Sequence, residues 1–249
     1  HDTLPMNLKF KQLLHIQYDP KKFKKILCLC NWHKNFVAKG LNVEKTKIFV
    51  TRNAIKVSKF ARLPKKIPFR FIYASGAQRG LEHLLRLIPL IKAEFPETTL
   101  HVFCNLDGAN KKGNSEQLKR MISDLPYVTL RGRVSQEEIS HEYSISDVWF
   151  YPTDFPETYC ITALEAQAAG CLCACTGLSS LKEIVGSRGI VGGENIRDEE
   201  VARNLTEDLI NIMKDETRKK ELTTTAREWA LKQSYSQLAK DWKNKLFCL

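Results

Sequence analysis

Residues 155–170 read FPETYCITALEAQAAG, and this stretch predicts the fold around it. Glu157 follows a proline where a helix is expected to begin, and Glu165 lies eight residues further along, among good helix formers. Eight helical steps span ~12 Å with ~80° of rotation, so two carboxylates at this spacing can contact the two ends of one extended ligand. The backbone amides of residues 158–161 then form a helix N-terminus, whose unpaired N–H groups can bind a phosphate.

The sequence around these glutamates follows the order of a known block. Residues 146–186 read SDVWFYPTDFPETYCITALEAQAAGCLCACTGLSSLKEIVG. They resemble the Glu-x7-Glu block of retaining GT-B glycosyltransferases, in particular glycosyltransferase family 4 (glycosyl transferases group 1). The resemblance includes Pro152, Gly170 and Glu183 as well as both glutamates. It implies the donor-binding domain of an enzyme that transfers a sugar from a nucleoside-diphosphate sugar with retention of anomeric configuration.

Short apolar runs alternate with helix-period segments from residue 70 onward. This alternation with short links predicts an α/β fold with a Rossmann-like, doubly wound parallel sheet. The predicted strands are 70–75, 99–105, 127–131, 147–151, 171–175 and 189–191. The predicted helices are 79–94, 115–124, 135–144, 157–169, 179–185, 197–213, 216–232 and 235–247. Ser135 and Asp215 are expected to cap the helices that follow them, and Asp198 suits the start of a third.

The resemblance also implies the domain organisation. Residues 1–60 resemble the tail of the N-terminal, acceptor-side domain and the hinge, with Asn53-Ala54 where the family often has Asn-Gly. Residues 61–232 correspond to the C-terminal nucleotide-sugar-binding domain, and residues 233–249 to a helix that packs back toward the N-terminal segment. The chain would then hold one complete C-terminal domain and a remnant of the first, so we expect it to bind nucleotide but to transfer sugar weakly by itself.

Two further loops are expected to meet the glutamates beyond the carboxyl ends of the strands. Residues 75–80 resemble the family's G-x-x-x-x-K-G turn, in which Gly76 permits a close approach and Arg79 can hold a diphosphate with its forked donors. A solvated residue at a helix start is the alternative for Arg79. In residues 131–135, backbone groups of Arg133 and Val134 would meet the base.

By the same resemblance, Glu165 binds the ribose hydroxyls and Glu157 lies near the transferred sugar. Amides of Tyr159 to Ile161 would hold the distal phosphate. For both glutamates a solvated helix face is the alternative, and for Cys160, where the family often has Gly, a role as nucleophile is the alternative. The predicted donor-binding residues are Gly76, Arg79, Arg133, Val134, Glu157, Thr158, Tyr159, Cys160, Ile161 and Glu165, of which Glu157 and Arg79 are also assigned to catalysis.

The composition, 43% hydrophobic and 27% charged, is that of an ordinary soluble globular protein, and no apolar run is long enough to cross a membrane. The eight cysteines include a C-x-C and a C-x-C-x-C run, whose alternate positions on a strand favour buried free thiols over disulfides. No metal site is expected, and the resemblance implies no cofactor besides the UDP- or GDP-linked donor substrate. His33 is expected on a helix surface, with an acceptor-side role as the alternative. His141 is also expected on a helix surface.

The charge lies at one end of the chain. The net charge is +11, yet residues 1–70 contain 17 Lys or Arg against 3 Asp or Glu, a net +14. This segment suggests an alternative function: a non-catalytic module whose basic face binds nucleic acid or an anionic membrane. It lacks the glycine-spaced aromatics of an RNA-recognition platform, which makes nucleic acid the weaker partner. The expected location is the cytoplasm, with or without contact with a membrane surface, and a glycan, lipid or protein as acceptor.

Overall fold

The computed structural model describes residues 23–106 and 114–247. The first part of the basic N-terminal segment (1–22) and the end of the predicted C-terminal segment (248–249) lie outside these ranges. The strands are β1 Ile26–Cys28, β2 Ile48–Val50, β3 Ile67–Tyr73, β4 Thr99–Val102, β5 Val128–Leu130, β6 Ser146–Tyr151, β7 Leu172–Thr176 and β8 Ile190–Gly192. The helices are α1 Asn31–Leu41, α2 Leu81–Glu94, α3 Asn114–Ser123, α4 Gln136–Ile145, α5 Ile161–Ala168, α6 Leu181–Ile184, α7 Glu199–Lys214, α8 Glu216–Leu231 and α9 Tyr235–Asp241, followed by a π-helix over Trp242–Phe247.

Six strands form one parallel sheet in the order β5-β4-β3-β6-β7-β8. Every residue of β6 and β7 is buried, because helices cover the sheet and leave no solvent-facing side on its central strands. The predicted α/β class and the Rossmann-like doubly wound sheet are confirmed, and each of the six predicted strands is present.

The strand order reverses between β3 and β6, which are neighbours in the sheet although two strands separate them in sequence. At such a switch point the loops after the two strands diverge and leave a crevice beyond their carboxyl ends. The loop after β3 contains Gly80, whose φ of 103° and close approach to Pro152 O, 2.7 Å from where a Cβ would lie, require a glycine. The two loops that line the crevice are therefore packed directly against each other.

Strands β1 and β2 form a separate parallel pair joined by α1. Cys28, Val37 and Ile48 make a small core between them. The carboxylate of Glu183, on α6, accepts hydrogen bonds from the backbone amides of Asn31 (3.1 Å) and Trp32 (2.5 Å) and so caps α1. This strand–helix–strand unit is attached to the larger sheet through the beginning of its helix.

The end of the chain returns to the segment after β2. Trp242 Nε1 donates to Thr51 Oγ1 at 2.6 Å, and Arg52 pairs with Asp241 at 2.6 Å. The predicted domain boundaries at residues 60 and 232 stay predictions, but α9 does lie against the segment that follows β2.

The cap predictions are correct. Ser135 accepts from the amide of Glu138, Asp198 from that of Glu200 and Asp215 from that of Arg218. Each of these side chains accepts a hydrogen bond from a backbone amide in the first turn of the helix, where that amide has no carbonyl partner within the helix.

The predicted start of the helix at residue 157 is wrong, because α5 begins at Ile161. Cys160, the residue before it, has a left-handed backbone with φ 61° and ψ 80°. Glu157 therefore lies in the loop before the helix, and the 12 Å spacing expected from eight helical steps does not apply. The reason is tertiary: the carboxylate of Glu157 is held by partners on other elements, and a helical turn at this point would remove it from them.

His33 does not lie on the surface. Its side chain is buried, with 6% of the residue exposed, and its Nδ1 accepts from the amide of Leu29 at 3.2 Å. Burial lowers the pKa of His33, so the ring is neutral. The turn between β1 and α1 folds the ring back onto the backbone, a closure that helical periodicity does not reveal. His141, in contrast, is exposed as predicted.

Candidate functional site

Two adjoining cavities lie beyond the carboxyl ends of β3 and β6. The first, which we name the Arg79 cavity, has a volume of about 340 Å³ and is lined by Asn53, Ser75, Arg79 and residues 155–162. The second, the Glu165 cavity, has a volume of about 500 Å³. Ser75 and Thr162 line both, so the two cavities can hold parts of one ligand.

An ion pair occupies the wall of the Arg79 cavity. Arg79 Nη1 donates to both carboxylate oxygens of Glu157, at 3.1 and 3.2 Å. Tyr151, the last residue of β6, donates its hydroxyl to Glu157 Oε1 at 2.9 Å. The guanidinium also lies 4.3 Å from the centre of the Phe155 ring, a cation–π contact. These contacts hold the side chain of Arg79 in the cavity wall, which differs from the freely solvated alternative.

The two side chains of this ion pair, Glu157 and Arg79, differ in their exposure to solvent. The side chain of Glu157 is 8% exposed, whereas that of Arg79 is 37% exposed. The remaining guanidinium nitrogens, Nη2 and Nε, have no acceptor among the described residues. Arg79 therefore neutralises a buried carboxylate on one edge and keeps donors available on the other.

The N-terminus of α5 forms another part of this cavity. Cys160, Ile161 and Thr162 line it, and the helix has no side-chain cap hydrogen bond, so its N-terminus can meet an anion. Thr158 and Tyr159 also line the cavity, but they precede the helix. Of the predicted amide donors, Ile161 is the first helical residue and Cys160 its cap.

The surroundings of Cys160 disfavour the alternative role as nucleophile. The residue is 6% exposed, and burial together with the charge of Glu157 raises the pKa of its thiol to about 12. The attacking species of a cysteine is its thiolate, which burial and a neighbouring negative charge disfavour. The left-handed φ of Cys160 explains instead why a glycine suits this position.

The Glu165 cavity contains the other predicted residues. Besides Glu165 it is lined by Gly76, Arg133 and Val134, so the structure brings all three predicted loops together. Burial raises the pKa of Glu165 to about 7, while the charge of Lys59 opposes that rise. Glu165 is half-buried in this cavity, which differs from the solvated helix face that was the alternative.

Several lining residues are absent from the sequence-based prediction. Tyr151 and Phe155 contact the ion pair directly, and Asn53 reaches the Arg79 cavity from the segment after β2. Tyr143, Gln136 and Phe103 line the Glu165 cavity. A signal existed for Tyr151, because it ends a predicted strand at the ligand-binding edge of the sheet. For Asn53 the sequence indicated only a place at the hinge, because its reach into the cavity depends on the packing of the N-terminal unit.

A larger groove of about 1050 Å³ lies at the opposite end of the sheet, between the start of β3 and helix α8. Its buried charges are paired: Lys219 bonds Asp147 at 2.9 Å, and Lys66 donates to the carbonyls of Ser146 (2.6 Å) and Ala169 (2.7 Å). These lysines tie the ends of helices and strands together, which gives the groove a structural explanation.

Within residues 23–106 and 114–247, no three or more His, Cys, Asp or Glu side chains lie close enough together to hold a metal ion. The same part of the chain contains no helix of the length and apolarity needed to span a membrane. Its seven cysteines are all buried and free.

Residues 56–229, well over half of the chain, match the protein-family model described as glycosyl transferases group 1. A sequence comparison with curated proteins finds no match.

Solved structures share the fold at low sequence identity. A glycosyltransferase from Rickettsia africae is 18% identical, with a TM-score of 0.72 over 96% of this chain and 68% of its own. Anabaena HepE in complex with UDP-glucose is 14% identical, with a TM-score of 0.78 over 100% of this chain and 71% of its own. Sucrose-phosphate synthase from Thermosynechococcus elongatus is 15% identical, with a TM-score of 0.73 over 94% of this chain and 63% of its own.

Proposed function

The chain belongs to the glycosyl transferases group 1 family, and we propose that it binds a nucleoside-diphosphate sugar as the donor-binding part of a retaining glycosyltransferase of family 4. Its sheet has the Rossmann-like fold of GT-B glycosyltransferases. One observation supports the proposal above the others: the two adjoining cavities have the polar groups that a nucleotide-sugar needs, in the order in which it presents them.

The Glu165 cavity is the proposed nucleoside site. Its carboxyl is half-buried and has no donor among the described residues, so the two ribose hydroxyls can supply the missing hydrogen bonds. Backbone groups of Arg133 and Val134, in the same cavity, are the proposed contacts of the base. Gly76 also lines this cavity and follows Ser75, which lines both cavities, so it would adjoin the diphosphate.

The Arg79 cavity is the proposed site of the diphosphate and the sugar. Arg79 and the N-terminus of α5 would stabilise the negative charge that develops on the leaving diphosphate. Glu157 would orient the sugar hydroxyls and stabilise positive charge at the anomeric carbon. In the proposed reaction the acceptor attacks from the face that the diphosphate leaves, with retention and without a covalent intermediate on the enzyme.

UDP is the donor nucleotide that we test first. HepE was solved with UDP-glucose bound, and it shares this fold over the whole of this chain. The chain spans 68% of the Rickettsia africae enzyme and 63% of sucrose-phosphate synthase, so transfer to a glycan, lipid or protein acceptor is a proposal for the whole protein. We propose that no cofactor or metal takes part.

Calorimetric titration with UDP, GDP and ADP tests the proposal. We expect micromolar binding of UDP, weakened by about 1.5–3 kcal/mol, or about 10–150-fold, in Glu165→Ala, because a hydrogen bond to a charged group is lost. Glu207→Ala is the control, since Glu207 is an exposed glutamate on α7. Equal affinities of the wild type and Glu165→Ala would contradict the ribose contact, and a chain that binds none of the three nucleotides would contradict the function.

No observation favours the alternative role in binding nucleic acid or a membrane. Of the 17 Lys or Arg in the basic segment, four lie in residues 1–22, outside the described part of the chain, and 13 lie within it. A salt series would reveal such binding, because phosphate-driven affinity falls steeply with ionic strength.

A further inference from the structure

We propose that Tyr151 is a positioning residue: it fixes Glu157, and through Glu157 it aims the free edge of Arg79 at the donor diphosphate. The inference rests on the proposed function and adds to it a residue and a chain of contacts.

The hydroxyl groups of Ser75 and Tyr151 form a chain of hydrogen bonds that ends at the carboxylate of Glu157. The Tyr151 phenol has one hydrogen, which it donates to Glu157 Oε1 at 2.9 Å. Ser75 Oγ lies 3.1 Å from the same phenol oxygen, so in this contact Ser75 is the donor. Ser75 therefore favours the Tyr151 rotamer that points its hydrogen at the carboxylate.

The side chain of Tyr151 is held rigidly by its packing. Tyr151 ends β6, is 1% exposed and packs against Trp149, with ring centres 5.0 Å apart, and against Tyr73, at 6.0 Å. A side chain held in this way has almost no rotamer freedom, so the position of its hydroxyl is set by the sheet. Glu157, in contrast, lies in a loop outside any helix or strand. Its carbonyl accepts from the amide of Ser180 at 3.3 Å, and its carboxylate is positioned by Arg79 and Tyr151.

Arg79 is held on two sides by this arrangement. Its Nη1 bonds both oxygens of Glu157, and its flat face covers Phe155. Two contacts that restrain a planar group in different directions leave it little freedom to rotate. The Nη2 and Nε donors then point away from the carboxylate, and a planar fork of this kind matches two phosphate oxygens.

Without the Tyr151 hydroxyl, the carboxylate remains paired with Arg79 but is no longer tied to β6. The ion pair would then be free to shift as a unit, and ligand binding would have to order it. Ordering one long side chain costs about 1 kcal/mol, which corresponds to about fivefold in affinity.

A double-mutant cycle on UDP binding tests the proposal. We expect Tyr151→Phe to raise the Kd for UDP about fivefold, and the same change in a Glu157→Ala background to alter it less than about twofold, because the residue through which Tyr151 acts is then absent. Tyr127→Phe, which removes a tyrosine hydroxyl outside both cavities, serves as the control and should leave the Kd unchanged.

Uridine separates positioning from general damage. It lacks phosphates and so does not contact Arg79, and we expect Tyr151→Phe to bind it as the wild type does. An equal loss for uridine and UDP, or the same fold-change in both backgrounds, overturns the inference and leaves the proposed function intact. A wild-type chain that binds no UDP overturns both.

Discussion

Glu157 and Glu165 lie eight residues apart, but their surroundings make them chemically different. Glu157 has an arginine and a tyrosine as donors, so its negative charge is compensated in the absence of ligand. Glu165 is desolvated without such a donor, which raises its pKa to about 7. A carboxyl in that state is stabilised by any ligand that donates hydrogen bonds to it.

This difference predicts a pH dependence of nucleotide binding. Ribose hydroxyls favour the ionised carboxylate, so binding releases a proton below the pKa of Glu165, and affinity should rise with pH until about 7 and then level off. We expect UDP to bind about tenfold more weakly at about pH 6 than at about pH 8. Calorimetry over this range measures the change.

Glu165→Gln is the control for that measurement, because the terminal phosphate of UDP also titrates, with a pKa of about 6. The amide cannot ionise, so any slope that remains in this variant belongs to the phosphate. A wild-type slope no steeper than that of Glu165→Gln would contradict the ribose contact.

At the scale of single elements, side-chain caps formed by nearby residues fix where several helices begin. Asp215 ends α7 and caps α8, two long helices that meet at this residue. Its carboxylate accepts from the amide of Arg218 at 2.9 Å. Helix α5 differs, because it has no side-chain cap and its start is set by the preceding loop, in which Glu157 is held by Arg79 and Tyr151.

We predict that Asp215→Ala lowers the free energy of unfolding by about 1 kcal/mol, because the amide of Arg218 loses its acceptor. Asp208→Ala, an exposed change within α7, should be neutral or slightly stabilising, since alanine has the higher helix propensity. Urea unfolding of both variants measures the difference. Equal stabilities would mean that the cap contributes nothing at this junction.

At the scale of the whole molecule, the strand–helix–strand unit around α1 is joined to the larger sheet by a few specific contacts. Glu183 caps α1, Cys30 Sγ donates to the carbonyl of Thr158 at 3.4 Å, and the C-terminal helices bond Thr51 and Arg52. Two of these contacts lie beside the donor-site loops, so the placement of the small unit and the shape of the Arg79 cavity are connected.

Removal of the Glu183 carboxylate should loosen the small unit without unfolding the sheet. In Glu183→Ala we expect amide hydrogens of α1 to exchange about tenfold faster, because charge-assisted hydrogen bonds of about 1.5 kcal/mol are lost, while those of β6 and β7 are unchanged. Lys182→Ala, an exposed neighbour, is the control. Uniformly faster exchange would instead indicate that the two units unfold together.

The sequence by itself determined the parallel sheet, because short apolar runs between helix-period segments depend only on nearby residues. Ser135, Asp198 and Asp215 were predicted as caps for the same reason. The loops containing Arg79 and Arg133 were correctly grouped with the helix of Glu165 at one edge. The tertiary structure alone decided where α5 begins, where His33 lies and what holds Glu157. Arg79 and Glu157 are 78 residues apart, and they meet because β3 and β6 are neighbours in the sheet. Strand order is a property of the whole fold, so partners that depend on it leave no local pattern in the chain.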